Sequence, residues 1–249
     1  MAAALASAVR QRPVGLFTTT ANIAGRVDLI SASPMFEGLS LSAYEEIAML
    51  ARPRTFAGEE VLFLQGQPVK NLALLRSGSV KITQLAPNGN EVLLWMHGAG
   101  SVVGAISEPI AGQHTCTARA MQPGTALVWE YMTLQRMMRE NPQIGRNISV
   151  ILSSRLNELE ERFREVATEK VAKRIALALL RLLKHVGRKV QDGIEVSLTR
   201  EELAQMTGTT LFTTSRVLSR WGEMGFVSPR RESVLVRDQN RLELAGEDV

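Results

Sequence analysis

Hydrophobic spacing changes period twice along this chain of 249 residues. A short helical candidate at Leu41–Leu50 comes first. Residues 52–130 are then rich in glycine and poor in helix-period patterns. Strand-like pieces at Glu60–Leu64, Asn71–Arg76, Ser79–Leu85 and Glu91–Met96 are separated by turn signals every eight to twelve residues. Pro87-Asn88-Gly89-Asn90 reads as a hairpin turn, because Asn and Gly tolerate positive φ. This spacing predicts a small antiparallel barrel or roll.

From Asn141-Pro142 the period becomes helical, with Asn141 expected to cap and Pro142 at the first helical position. Ile144, Ile148, Ile151, Leu152, Arg155 or Leu156, Leu159, Phe163 and Val166 recur at helical spacings, and Glu158, Glu160, Glu161, Arg162 and Arg164 lie opposite. A stripe this long and narrow predicts a seam between two copies of the helix. The competing reading is a helix packed on its own roll.

Thr168 is expected to cap a further helix, VAKRIALALLRLLKHV, which stops near Gly187. A short strand pair around Gly193–Ser197 follows. Thr199 and Glu202 then form a capping box, Gly208 allows a tight turn, and TTLFTTSRVLSRW at 209–221 forms a second helix ended by Gly225. FVSPRRESVLVRD reads as a hairpin with Arg230 and Arg231 at its tip. Helix, turn, helix and basic hairpin make a winged helix-turn-helix. Thr and Ser are mediocre helix formers, so their density in 209–221 points to a surface that closely approaches an anion. Thr199, Thr209, Thr210, Phe212, Thr213, Ser215, Arg216, Arg220, Arg230 and Arg231 are the candidate DNA contacts, with Val217, Leu218 and Trp221 holding the helix on its neighbour.

Charge placement agrees. From Thr168 to Arg237 there are 13 Lys/Arg against 7 Asp/Glu, a net +6 within a chain of +4. Cys116 is the one cysteine, which excludes an internal disulfide and an all-cysteine cluster and fits a reducing cytoplasm. The apolar runs are too short to span a bilayer. Residues 1–27 lack acidic side chains, as transit peptides do, but read as a mobile tail. Neither a Gly-rich phosphate loop, a nucleophile elbow nor a metal-ligand cluster is evident, which argues against an enzyme.

The motifs LFLQGQP, LLRSGSVKI and GAGSVVG, the long helix, and LTREELAQMTGTT followed by SR, L, RW and GFV resemble, in order and spacing, the cyclic-AMP receptor/fumarate–nitrate regulator (CRP/FNR) family of bacterial transcription factors. The resemblance covers residues 35–237. It implies an α+β chain: a flexible N-terminal tail (1–30), an antiparallel, cyclic-nucleotide-binding-like β-roll (31–139), a long dimerisation helix (140–167), a winged helix-turn-helix (168–238) and a C-terminal tail (239–249). It further implies a homodimer on palindromic double-stranded DNA, with half-sites about 34 Å apart, and contact with RNA polymerase. Ser215 and Arg216 match the family's Ser-Arg pair, with Arg216 reading a base. Many members have a glutamate where this chain has Phe212, which would pack on a thymine methyl or be buried between helices. Thr210, Thr213, Arg230 and Arg231 are assigned to phosphate.

Cyclic-AMP binders of the family carry Gly-Glu-Leu and Arg-Ser or Arg-Thr. The matching positions are Gly104-Ala105-Ile106 and His114-Thr115, and Leu159 and Glu160 stand where a Thr-Ser pair meets the purine. Ala105 has no group for a ribose hydroxyl, and a neutral His114 is a poor substitute for a guanidinium. A lost charged contact costs about 2–5 kcal/mol, so cyclic AMP is not the expected effector. His97, His114 and Cys116 form a haem-ligand set on residue type alone, or three unrelated residues, and Cys116 is a redox sensor only if exposed with a low pKa. An apolar ligand, a different nucleotide or no effector also fit. A regulatory module that docks on a protein partner is the competing function.

Overall fold

The computed structural model describes residues 17–104, 106 and 110–245. Ala105 and residues 1–16 therefore lie outside it, as do residues 246–249. Helix α1 (Phe17–Ser31) occupies much of the segment read as a tail, and it ends with Ile30 fully buried. Arg26 donates from α1 to the carbonyls of Ala48 and Ala51 at the end of α2 (Leu41–Leu50), tying the two helices together. A mobile tail thus fails for residues 23–30, because Ile23, Val27, Leu29 and Ile30 pack on the core beneath the helices.

The roll is one six-stranded antiparallel sheet ordered β1-β6-β3-β4, with β2 on β6 and β5 on β3. Its strands are β1 (Arg52–Phe56), β2 (Val61–Phe63), β3 (Asn71–Leu85), β4 (Glu91–His97), β5 (Val102–Gly104) and β6 (Thr117–Glu130). The two pieces at 71–76 and 79–85 are a single strand, bent by register shifts around Ser77 and Ser79 against β6. Gly78 makes the bend: its φ is 82°, and a Cβ there would lie 2.8 Å from the Pro123 carbonyl oxygen. Alternation along β3 and β6 splits their apolar residues between two cores. Leu75, Val80, Ile82, Ala118 and Ala120 fill the roll, and Leu72, Leu74, Leu127 and Trp129 pack under the helices.

Helix α3 (Tyr131–Glu140) leads into α4 (Pro142–Thr168). Asn141 precedes α4 without capping it through its side chain. The amide turns back and donates to Met137 O, closing α3 instead. Thr168 is likewise no N-cap. It is the last residue of α4 and its hydroxyl donates to Arg164 O, while Lys170 begins α5 (Val171–Val186). The buried Glu165 carboxylate accepts both arms of Arg181 at 2.6 and 2.8 Å, locking α4 to α5.

The C-terminal lobe adds β7 (Arg188–Val190), β8 (Gly193–Val196), α6 (Arg200–Thr207), α7 (Leu211–Glu223), β9 (Val227–Pro229) and β10 (Val234–Val236), its sheet ordered β7-β8-β10-β9. The segment read as a C-terminal tail contains α8 (Gln239–Ala245), whose Leu242 is buried on the α5 side of the lobe's core and whose Arg241 lies over the Phe226 ring. Leu93 and Met96 of β4 join that same core, so the two lobes share apolar surface.

A polar latch accompanies this contact. Glu202 closes the capping box of α6 with Thr199 and also accepts from Lys81 of β3 at 2.6 Å. Burial pushes the Glu202 carboxyl up, but Lys81 and the Thr199 amide outweigh it and hold the pKa below the ordinary value. A depressed folded-state pKa means stability present above the unfolded pKa and lost as pH falls through the folded one. Thermal unfolding is therefore expected to lose stability steeply below about pH 4, and Glu202→Gln is expected to flatten that slope. An identical slope in the variant would assign the acid transition elsewhere.

Candidate functional site

Helix α7 begins at Thr210, whose hydroxyl accepts from the Thr213 amide at 3.2 Å and lies 3.0 Å from the Thr213 hydroxyl. Gly208 ends α6 with φ 60°, so the chain turns between the two helices without Cβ strain. Leu218 and Trp221 are fully buried, and Trp221 meets Phe226 with ring centroids 5.8 Å apart. That packing sets the helix rotation. Thr210, Phe212, Arg216 and Arg220 are exposed, and Thr209, Thr213 and Ser215 are half-buried at the same face. Phe212 is 75% exposed, which excludes burial between the helices. Thr214 belongs elsewhere: it is completely buried, so the hydroxyl face is one residue poorer than the sequence suggested. Thr199 is occupied by its capping box.

The hairpin β9–β10 places Arg230 and Arg231 at its tip, but they differ. Arg231 is exposed. Arg230 donates to Glu195 Oε1 at 2.6 Å, and the other oxygen of that buried carboxylate accepts from Arg188 at 2.7 Å. Arg188, with the Ser233 hydroxyl and Arg230, holds the Glu195 carboxyl below its usual pKa despite burial. Arg230 is therefore a braced cation rather than a free arm. Sequence reasoning missed Glu195 and Arg188; the signal was an acid between Ile194 and Val196 in an otherwise apolar strand.

Helix α4 divides along its length. Ile144 and Ile148 are buried, and Ile151 packs beside them, all in the chain's own core. They are not seam residues; for these turns the competing reading holds. Farther on, Leu152, Leu156, Leu159, Phe163 and Val166 are exposed at spacings of four, three, four and three, the last two at 78% and 49%. This heptad stripe belongs to none of the hydrophobic cores among the described residues. Arg162, on the charged face opposite the stripe, turns toward the roll. It donates to Leu94 O and lies 5.6 Å over the Trp95 ring.

In the roll, Ile106 is buried and Gly104 takes φ 120° with its Cβ direction 3.0 Å from Asn71 O. Thr115 is exposed and Leu159 is 41% exposed. His114 is 7% exposed and stacks on Phe63 at 3.7 Å, lining a cavity of about 200 Å³ with Gln67 and Asn71. Burial alone pushes its pKa down, so the ring is uncharged. His97 instead lines a separate cleft beside Arg155 and His185, and Cys116 lines neither. The haem-ligand set is thus not gathered around one cavity. Burial also raises the Cys116 pKa, against thiolate sensing. No group of three His, Cys, Asp or Glu among the described residues could hold a metal ion, and no described helix is long and apolar enough to cross a membrane.

Residues 53–141 match the family of the cyclic nucleotide-binding domain, and residues 173–245 match the Crp-like helix-turn-helix domain. The chain is 27% identical over 217 residues to a CRP-like cAMP-activated global transcriptional regulator of Mycobacterium tuberculosis, covering 86% of this chain and 97% of that protein. It is 28% identical over 215 residues to the cyclic AMP receptor protein of Thermus thermophilus, covering 86% and 97% respectively. Among solved structures, FixK2 from Bradyrhizobium japonicum superposes with a TM-score of 0.68 at 19% identity, over 78% of this chain and 96% of that one, a likeness of fold.

Proposed function

The chain belongs to the CRP/FNR family of transcription factors, and from that premise we propose that it acts as a cytoplasmic homodimer on an inverted-repeat operator and contacts RNA polymerase. The carrying observation is the face of α7. Arg216 is exposed with no hydrogen bond to the described residues, about one and a half turns from a capped helix start that offers Thr210 and Thr213 to a backbone phosphate. A free guanidinium there can take the O6 and N7 of guanine. Phe212 presents an apolar ring to the same groove and suits a thymine methyl. Arg231 adds phosphate contact from the wing, with Arg230 held beside it by Glu195.

Selection of bound sites from random DNA, followed by gel shift, tests the reading. Arg216→Ala is expected to lower affinity by about 1–3 kcal/mol, roughly 5- to 150-fold, and to relax preference at one base pair per half-site. Unchanged affinity and sequence preference in that variant would sink it.

The roll is proposed not to take cyclic AMP, although relatives are named for that activation. The position of the phosphate-binding arginine holds His114, with its pKa lowered by burial and its ring packed flat on Phe63. It supplies no fixed positive charge. Calorimetric titration of the full-length protein is expected to show no submicromolar cyclic-AMP binding.

A further inference from the structure

A cleft of about 610 Å³ lies between β4 with its following loop, the segment around Ser33, the middle of α4 and the end of α5. Its volume falls in the range of small-molecule sites. Of the positions the family resemblance assigns to a nucleotide, Gly104, His114, Thr115 and Leu159 do not line it, and Ile106 does. We propose that this cleft is a binding site for a small organic anion, a carboxylate or phosphate monoester on an apolar body.

Three features point to that chemistry. Arg155 projects from α4 into the cleft, half-buried, and forms no hydrogen bond or ion pair among the described residues. Burial disfavours its charged form, with Glu158 and Cys116 offsetting this only in part. A desolvated guanidinium without a partner is costly, and an anionic group relieves that cost. Lys184 at the mouth adds a second cation, so the lining carries two fixed positive charges and two imidazoles, His97 and His185, against the single carboxylate of Glu158.

The second feature is Ser33. It is 1% exposed, lines the cleft, and its hydroxyl has no hydrogen-bond partner. Buried hydroxyls are normally paired, and rotation of this one toward the cleft would let a ligand oxygen complete it. The third is the remaining wall. Pro34, Trp95, Met96, Val102 and Ile151 give an apolar surface for the body of the ligand. His97, pushed down to about 3 by burial together with Arg155 and His185, is a neutral ring able to donate one hydrogen bond.

The walls belong to both lobes, since Lys184 and His185 sit on α5 of the DNA-binding lobe and the rest on the roll side. A bound anion therefore touches both lobes and favours whichever arrangement keeps Arg155 and Lys184 together.

Phenyl phosphate is the probe and phenol its neutral counterpart. Calorimetry on the full-length protein is expected to show saturable binding of phenyl phosphate at one site per chain, tighter than phenol. Arg155→Ala is expected to weaken phenyl phosphate about ten-fold or more, the worth of a charge-assisted hydrogen bond, while leaving phenol unchanged. Lys184→Ala, at an exposed position that cannot disturb folding, is expected to weaken it several-fold, and Arg155→Lys to restore part of the loss. No saturable binding, or equal affinity in wild type, Arg155→Ala and Lys184→Ala, overturns the site. None of these measurements involves DNA, so a failure here leaves the operator reading standing, and the reverse.

Discussion

Replacing Leu156 and Phe163 together by glutamate is expected to leave a folded monomer that no longer shifts operator DNA at concentrations where the wild type is saturated. Both side chains are exposed in the single chain, at 57% and 78%, within the heptad run from Leu152 to Val166. Burying such a side chain against a partner contributes about 1.5–3 kcal/mol, and a two-fold seam repeats each contact. Two glutamates per helix would remove that gain and set like charges across the seam. The single chain loses nothing by the change, because neither residue belongs to its buried core. DNA binding suffers more than either contact suggests. A dimer reaches its second half-site at the effective concentration set by the tether, an advantage of about 10²–10⁴. Sedimentation equilibrium and gel shift read the two effects separately. A variant that remains dimeric would remove α4 as the seam.

Trp221→Ala is expected to destabilise the C-terminal lobe by about 3–5 kcal/mol, the usual cost of truncating a large buried aromatic. Its ring is 1% exposed, faces Phe226, and shares a core with Leu203, Leu218 and Leu242. The cavity could not refill cheaply, since α6, α7, α8 and the small sheet all meet there. Denaturant titration followed by tryptophan-independent far-ultraviolet dichroism measures the loss, and DNA affinity falls with the folded fraction. Phe212→Ala provides the contrast. Nine residues away on the same helix but 75% exposed, it is expected to change stability by less than about 0.5 kcal/mol while altering base preference. Equal destabilisation by the two changes would mean that α7 is rotated from the orientation described.

Local chemistry was legible where one short stretch decides it. Thr199 and Glu202 make their capping box, Gly208 its left-handed turn, and the Pro87–Asn90 turn leads β3 into β4, since each depends on residues within a few positions. The errors share a different cause. Asn141 and Thr168 are good capping residues by type, but Asn141 finds Met137 O and Thr168 finds Arg164 O first. The seam on α4 was drawn too long, because periodicity reports an apolar face without naming what covers it. Ile144 and Ile148 meet the chain's own helices and roll, whereas Phe163 stays 78% exposed.

By itself, then, the amino-acid order determined an α+β chain of roll, long helix and helix-turn-helix, and placed hydroxyls and arginines on one helix, because periodicity, caps and turns act over a few residues. Only the tertiary structure decided which half of α4 stays open, that Glu195 braces Arg230, and that Ser33 and Arg155, far apart in sequence, line one cleft. Those facts depend on which surfaces bury one another across the chain, and no local pattern carries that information.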